Sequence, residues 1–163
     1  MPHASPLWTI PFALALAACG DAPLRPSPGG VAARDTLVRS VDLRGRTLVL
    51  DGHDGHVEID TAAGPATLRF VRTARGATRA SAEERLEAVA FYEVEADALV
   101  QFVWASELEG TGVRATARVP PGADLVVELD RGTIRARGLG PEHARLRADS
   151  VVWDGARSPS PLD

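Results

Sequence analysis

From Thr36 onward the chain carries one recurrent local signal: apolar side chains at every second position, interrupted by turns rich in glycine and aspartate. Leu48 and Leu50 lead into Asp51-Gly52-His53-Asp54-Gly55, after which Val57 and Ile59 alternate with His56, Glu58 and Asp60. Leu68 and Phe70 then alternate with Thr67, Arg69 and Val71. A period of two sends successive side chains to opposite faces of an extended chain, so this pattern selects strand over helix. Residues 36–156 are therefore expected to form one all-β domain, with Gly and Asp clusters at the turns.

One segment departs from that rule. Ser81-Ala82-Glu83-Glu84 has the form of a capping box, and Leu86, Val89 and Ala90 follow at helical spacing. A short helix from Ala82 to Val89 is expected at the edge of the β structure. Strands resume as a hairpin, Phe91–Glu95 and Leu99–Trp104 about a turn at Ala96-Asp97, with Val100, Phe102 and Trp104 on one face. Val113, Ala115, Ala117 and Val119 form the next inward set, Pro120-Pro121-Gly122 a turn, and Leu125, Val127 and Leu129 a further set.

The last stretch reads as a repeat. Gly132–Leu139 and Ala144–Val151 each show small or aliphatic inward residues flanked by arginines, and Gly55–Asp60 is a weaker echo. Short rungs of this kind bury their inner faces only against neighbouring rungs. The expected architecture is a β-helix or solenoid-like stack of short strands with an N-terminal hairpin region and one short helix; a β-sandwich is the alternative. Trp153 is expected to cover the open end of the last rung.

The N-terminal region carries a different instruction. Cys19 is the one cysteine, and it directly follows an apolar run from Leu7 to Ala18 that ends in Leu16-Ala17-Ala18. Small residues before a cysteine at the end of such a run form a bacterial lipobox, with cleavage between Ala18 and Cys19 and lipidation of the Cys19 thiol. The run is shorter than the roughly 20 residues of a spanning helix and contains Pro11, which fits a signal segment. Residues 1–18 are thus expected to be a lipoprotein signal peptide and residues 19–35 a lipidated N-terminus and flexible tether rich in proline and glycine. Residues 157–163, with Ser158-Pro159-Ser160-Pro161, are expected to be a disordered tail. The implied location is the bacterial cell envelope, anchored to a membrane and facing away from the cytoplasm.

Composition narrows the function. A formal charge of −4 and a pI of about 5.6 give no general nucleic-acid footprint. A lone cysteine excludes an intrachain disulfide framework. Asp51, His53, Asp54, His56, Glu58 and Asp60 have metal-ligand chemistry, but no established ligand spacing, and a solvated hairpin turn accounts for them. Arg135, Arg137, Arg145 and Arg147, with Arg114 and Arg118, point outward and are the candidate anion stripe; the simpler reading is a charged solvent face paired with Glu128, Asp130 and Asp149. Phe91, Tyr92, Phe102 and Trp104 read as a groove or, more simply, as core. Ser81 reads as a cap, Ser106 and Ser150 lack a nucleophile context, and His143 follows Pro141-Glu142 in a turn. With no phosphate loop either, no enzyme, cofactor or metal is expected.

The stretch Val119-Pro120-Pro121-Gly122-Ala123, then Leu125–Glu128, then Gly132-Thr133-Ile134, resembles a bacterial family known as "putative adhesin". Gly55, Val57 and Ile59, and the helix carrying Glu84 and Leu86, follow the same order, so the resemblance runs from about Val41 to Trp153. It implies an exported all-β fold with a right-handed β-helix-like part. The expected function is a non-catalytic envelope lipoprotein for surface interaction, adhesion or scaffolding, with an envelope protein or polysaccharide as partner. The alternative is a ligand-binding module for anionic polysaccharide, lipid or metal.

Overall fold

The computed structural model describes residues 30–105 and 108–154. Ala18, Cys19, most of the expected tether, Ser106 and the tail lie outside the described residues. The elements in chain order are β1 (Val31–Val41), β2 (Thr47–Thr61), β3 (Ala66–Gly76), α1 (Arg79–Glu87), β4 (Ala90–Glu95), β5 (Leu99–Ala105), β6 (Thr111–Val119), β7 (Leu125–Arg137), β8 (Ala144–Arg147) and β9 (Ser150–Asp154). The fold is all-β with one short helix.

The long strand β2 organises the sheet. Its first half, from Thr47 to Gly52, pairs in parallel with β5, and its second half, from Gly55 to Thr61, pairs in parallel with β6. On its other edge it pairs along nearly its whole length with β7, from Leu48↔Leu125 to Asp60↔Arg137. β7 in turn pairs with β8 through its first half and with β9 through its second. Four rungs therefore stack in the order β5/β6, β2, β7, β8/β9, each with a first and a second half. Antiparallel strands extend the β5/β6 end: β4 beside β5 in the first half-sheet, and β3 then β1 beside β6 in the second.

The rungs fold over in the middle. Leu48, Leu50 and Gly52 are buried before the fold in β2, whereas Val57 and Ile59 are buried after it; in β7 the set changes from Leu125, Val127, Leu129 to Ile134, Ala136. A one-residue change of phase in each strand keeps the apolar side chains on the inside of both half-sheets. The Asp51–Gly55 segment is consequently a corner within one continuous strand, not the hairpin turn expected, because β7 stays paired with it in parallel from one side of the bend to the other. Gly132 at the β7 corner has φ +128°, and a β-carbon there would lie 1.9 Å from the Gly55 carbonyl oxygen, so neighbouring corners touch backbone to backbone.

The loops that lead into β2, β7 and β8 carry Leu43, Ala123 and Leu139, all buried. The loop before β7, Pro120-Pro121-Gly122-Ala123, closes with Ala123 N–H donating to Pro120 C=O at 3.2 Å and Gly122 at φ +77°, the geometry of a type II turn. Between the half-sheets lies a wholly apolar core: no polar or charged side chain is buried among the described residues. Phe70 of β3 meets Phe91, Phe102 and Trp104 at centroid distances of 4.9, 5.0 and 5.9 Å, joining the half-sheets at the β5/β6 rung. Tilted and edge-on aromatic pairs add about 1 kcal/mol each to the burial of their area.

Three expectations are corrected. β1 begins at Val31, so Val31 to Asp35, read as tether, form the start of a strand whose partner is β3; cross-strand pairing, which local composition does not encode, recruits them. The helix starts three residues early, at Arg79, because Thr78 is its N-cap and Ser81 the N3 residue of the capping box, bonded to each other's backbone N–H. The repeat is offset: Ala144–Arg147 stacks on Leu125–Glu128, and it is Ser150–Asp154 that stacks on Thr133–Arg137. The echo at Gly55–Asp60 is in register with Gly132–Arg137.

Candidate interaction faces

The outer face of the second half-sheet is a charge ladder. Strand pairing sets Asp154, Arg137, Asp60 and Arg118 side by side on β9, β7, β2 and β6. Arg137 lies 3.5 Å from Asp154 and 3.8 Å from Asp60. The next row runs Val152, Arg135, Glu58, Thr116, Arg69. His56 Nε2 lies 3.0 Å from Glu58 Oε1; that hydrogen bond, with smaller help from Arg114 and Arg137, holds the Glu58 carboxyl below its ordinary range. Opposite charges on adjacent strands stabilise by a fraction of a kcal/mol per pair, and the first row balances two arginines with two aspartates.

The first half-sheet presents a different face. Tyr92 and Val94 of β4 point outward, 62% and 47% exposed, because their neighbours Phe91, Glu93 and Glu95 share the inward side with Trp104, Phe102 and Val100. Tyr92 pairs with Val103, and Val103 with Asp51; Val94 pairs with Gln101, Gln101 with Val49, and Val49 with Val126. The Tyr92 row therefore continues through Val103 to Asp51 and Glu128, and the Val94 row through Gln101 to Val49 and Val126, so half-exposed valines are interspersed with polar side chains. Desolvation, then the charges of Glu128 and Asp130, push the Asp51 carboxyl above its ordinary range.

The candidate arginines do not form one stripe. Arg135 and Arg137 lie in the ladder of the second half-sheet, whereas Arg145 and Arg147 lie on β8 beside Val126 and Glu128 on the first. The corner separates the two pairs. Their expected partners also change: Arg147 neighbours Glu128, but Asp130 binds His53, and Asp149 accepts a hydrogen bond from Gly132 N–H at 3.0 Å.

His53 and His56 take different partners. His53 Nδ1 lies 2.9 Å from Asp130 Oδ2 and its Nε2 3.2 Å from an Arg131 nitrogen, while His56 turns to Glu58. His143 Nδ1 lies 3.1 Å from Asp124 Oδ1 in an open groove of about 400 Å³ lined also by Thr47, Glu142 and Arg145. Among the described residues no group of three or more His, Cys, Asp or Glu side chains is placed to hold a metal ion. Phe91, Phe102 and Trp104 belong to the core or pack on it, and Ser81 sits in the helix cap. Tyr92 alone of that aromatic set faces out; strict alternation from Phe91 is the sequence signal that separates it from its neighbours.

No known protein-family model matches the chain, and no curated protein matches it significantly. Several solved structures are similar in part. A putative cell adhesion protein from Clostridium sporogenes matches at 10% identity and a TM-score of 0.44, over 74% of this chain and 59% of that one. A putative adhesin from Bacteroides fragilis matches at 10% identity and a TM-score of 0.33, over 74% and 61%. A putative lipid binding protein from Parabacteroides distasonis matches at 11% identity and a TM-score of 0.30, over 77% and 61%. The chain therefore spans about three fifths of the length of these structures.

Proposed function

We propose that this chain is a non-catalytic lipoprotein of the bacterial cell envelope, acting in surface interaction, adhesion or scaffolding through the outer face of its first half-sheet. The observation that carries the reading is the contrast between the two outer faces. The second carries a charge ladder between Val38 on β1 and Val152 on β9, while the first exposes Tyr92 and Val94 beside half-exposed Val103, Val49 and Val126. Exposed apolar side chains gathered about a tyrosine are a common mark of a binding surface, and tyrosine is enriched at such surfaces because its ring is rigid and its hydroxyl remains wet. Leu16-Ala17-Ala18-Cys19 supports the anchor: a lipid on Cys19 holds this face near the membrane, where even a weak surface becomes effective through high local concentration.

The test is proximity crosslinking in the native host with three forms: unaltered, Cys19→Ser, and Tyr92→Ser with Val94→Ser. The expected result is one dominant envelope partner, reduced when Cys19→Ser releases the protein from the membrane fraction and lost when the face is altered. Identical fractionation of the Cys19→Ser form overturns the anchor. Unchanged labelling by the doubly substituted form overturns the face.

A further inference from the structure

The two ends of the stack are finished differently. At the β1/β4 end, charged side chains stand on the inward side of the edge strands. Glu93 and Glu95 alternate with the outward Tyr92 and Val94 on β4, and Asp35 and Arg39 alternate with exposed Thr36 and Val38 on β1. They pair across that end: Arg39 with Glu93 at 2.7 Å, Arg46 with Glu95 at 2.5 Å, and Arg72 with Asp35. Inward charges on an edge strand stop a further strand from adding. At the opposite end, the inward residues are Ala144 and Leu146 of β8, Ala148 at the corner, and Val151 and Trp153 of β9, with no charge among them. Val151 is 41% exposed although its neighbour Ile134 on β7 is fully buried. A stack of rungs needs a cover on its outermost rung, and among the described residues the outermost rung has an apolar inner surface instead.

We propose that this end is covered by the same end of a second copy of the chain, so that two stacks join through their β8/β9 rungs into one core. The bent rung fits this arrangement. A two-fold axis along the bisector of the corner exchanges first and second halves, laying β8 antiparallel to the partner's β9. Matching inward faces limits the register to alternate positions. The register that sets Leu146 opposite the partner's Trp153 also sets Ala148 opposite the partner's Val151 and Arg145 opposite the partner's Asp154. Apolar residues then meet on the inside and opposite charges on the outside, twice by symmetry. Among the described residues Arg145 has no carboxylate partner and the Asp154 carboxylate has one cation near it, Arg137 at 3.5 Å.

The test is sedimentation equilibrium of the full chain under reducing conditions in a density-matched non-ionic detergent. The forms compared are the unaltered chain, Arg145→Asp, Asp154→Arg and the double swap. The expected result is a dimer whose dissociation constant rises about tenfold or more with each single reversal and returns to within about threefold of the original in the swap. Circular dichroism identical across the four forms establishes that the fold is intact. A monomer at all concentrations up to about 100 μM overturns the proposal, as does a dimer indifferent to all three substitutions. If the full chain is monomeric and removal of residues 155–163 produces a dimer, the tail and not a second copy covers this end, and the proposal is equally overturned.

Discussion

A β-carbon added to Gly52 would lie 2.2 Å from the indole of Trp104. The ring occupies the space a side chain would take at the corner of β2, and its Nε1–H donates to the Asp54 carbonyl at 3.1 Å on the far side of the bend. The absent side chain admits the indole, and the indole's hydrogen bond in turn ties the ring to the backbone just past the bend. Gly52→Ala is expected to destabilise the domain by about 1–3 kcal/mol through overpacking against a fully buried ring. Combined with Trp104→Leu, which frees that space, it is expected to cost less than the two single changes added together. Urea unfolding of the three variants measures the coupling; strict additivity would show that the two residues do not share the corner.

The glycines differ in what they permit. Gly132→Ala is expected to prevent native stacking, because its β-carbon would lie 1.9 Å from the Gly55 carbonyl oxygen and its φ of +128° is closed to L side chains. Gly45→Ala is expected to cost about 1 kcal/mol, the strain of a left-handed residue alone, since nothing lies within 4 Å of its added carbon. Expression yield and thermal midpoint of the two variants check the contrast.

Arg137 stands between Asp60 and Asp154 with its side chain 53% exposed. Its replacement by Glu is expected to lower stability by only about 1 kcal/mol, and by less at 1 M salt, because exposed pairs are weak and screened. Urea midpoints at low and high salt measure this. A large loss that salt leaves unchanged would place Arg137 in a structural role beyond the ladder.

Asp51 supplies a pH dependence of known sign. Desolvation raises its folded carboxyl above the unfolded value, so the folded state disfavours the charged form. The penalty is absent below the unfolded value of 3.8 and complete above the raised folded value, which places the change on the basic side of pH 3.8. Asp51→Asn is therefore expected to stabilise the domain at pH 7 and to make little difference at pH 3. Unfolding curves at the two pH values decide it, and an equal effect at both would assign the gain to something other than ionisation.

The reach of local sequence signals is visible in particular elements. The Phe91–Glu95 and Leu99–Trp104 hairpin, its buried set Val100, Phe102 and Trp104, and the turn at Pro120-Pro121-Gly122 all follow from alternation and turn chemistry within a few residues. The helix was legible too, but its cap was misplaced because Ser81 and Thr78 are both competent caps, and Thr78 wins by lying directly after Gly76-Ala77 at the end of β3. Gly76 has room for nothing more: a β-carbon there would lie 2.4 Å from the Ser81 hydroxyl oxygen. The tether boundary was missed because Val31–Asp35 become strand only through β3, far along the chain. The arginine set was divided for the same reason, since stacking sets Arg145 against Val126 and not against Arg137.

What the sequence by itself determined is the strand class, the inward side chains, the one helix and the position of the turns, because alternation, capping and glycine conformations act between near neighbours. Only the tertiary structure decided that Asp51–Gly55 is a corner and not a reversal, that Gly55 lies beside Gly132, and that Arg137 stands between Asp60 and Asp154 while Arg145 and Arg147 lie across the corner from it. Those outcomes depend on which strands pair, and pairing is set by closing long loops around a shared apolar core. No window of adjacent residues carries that free energy.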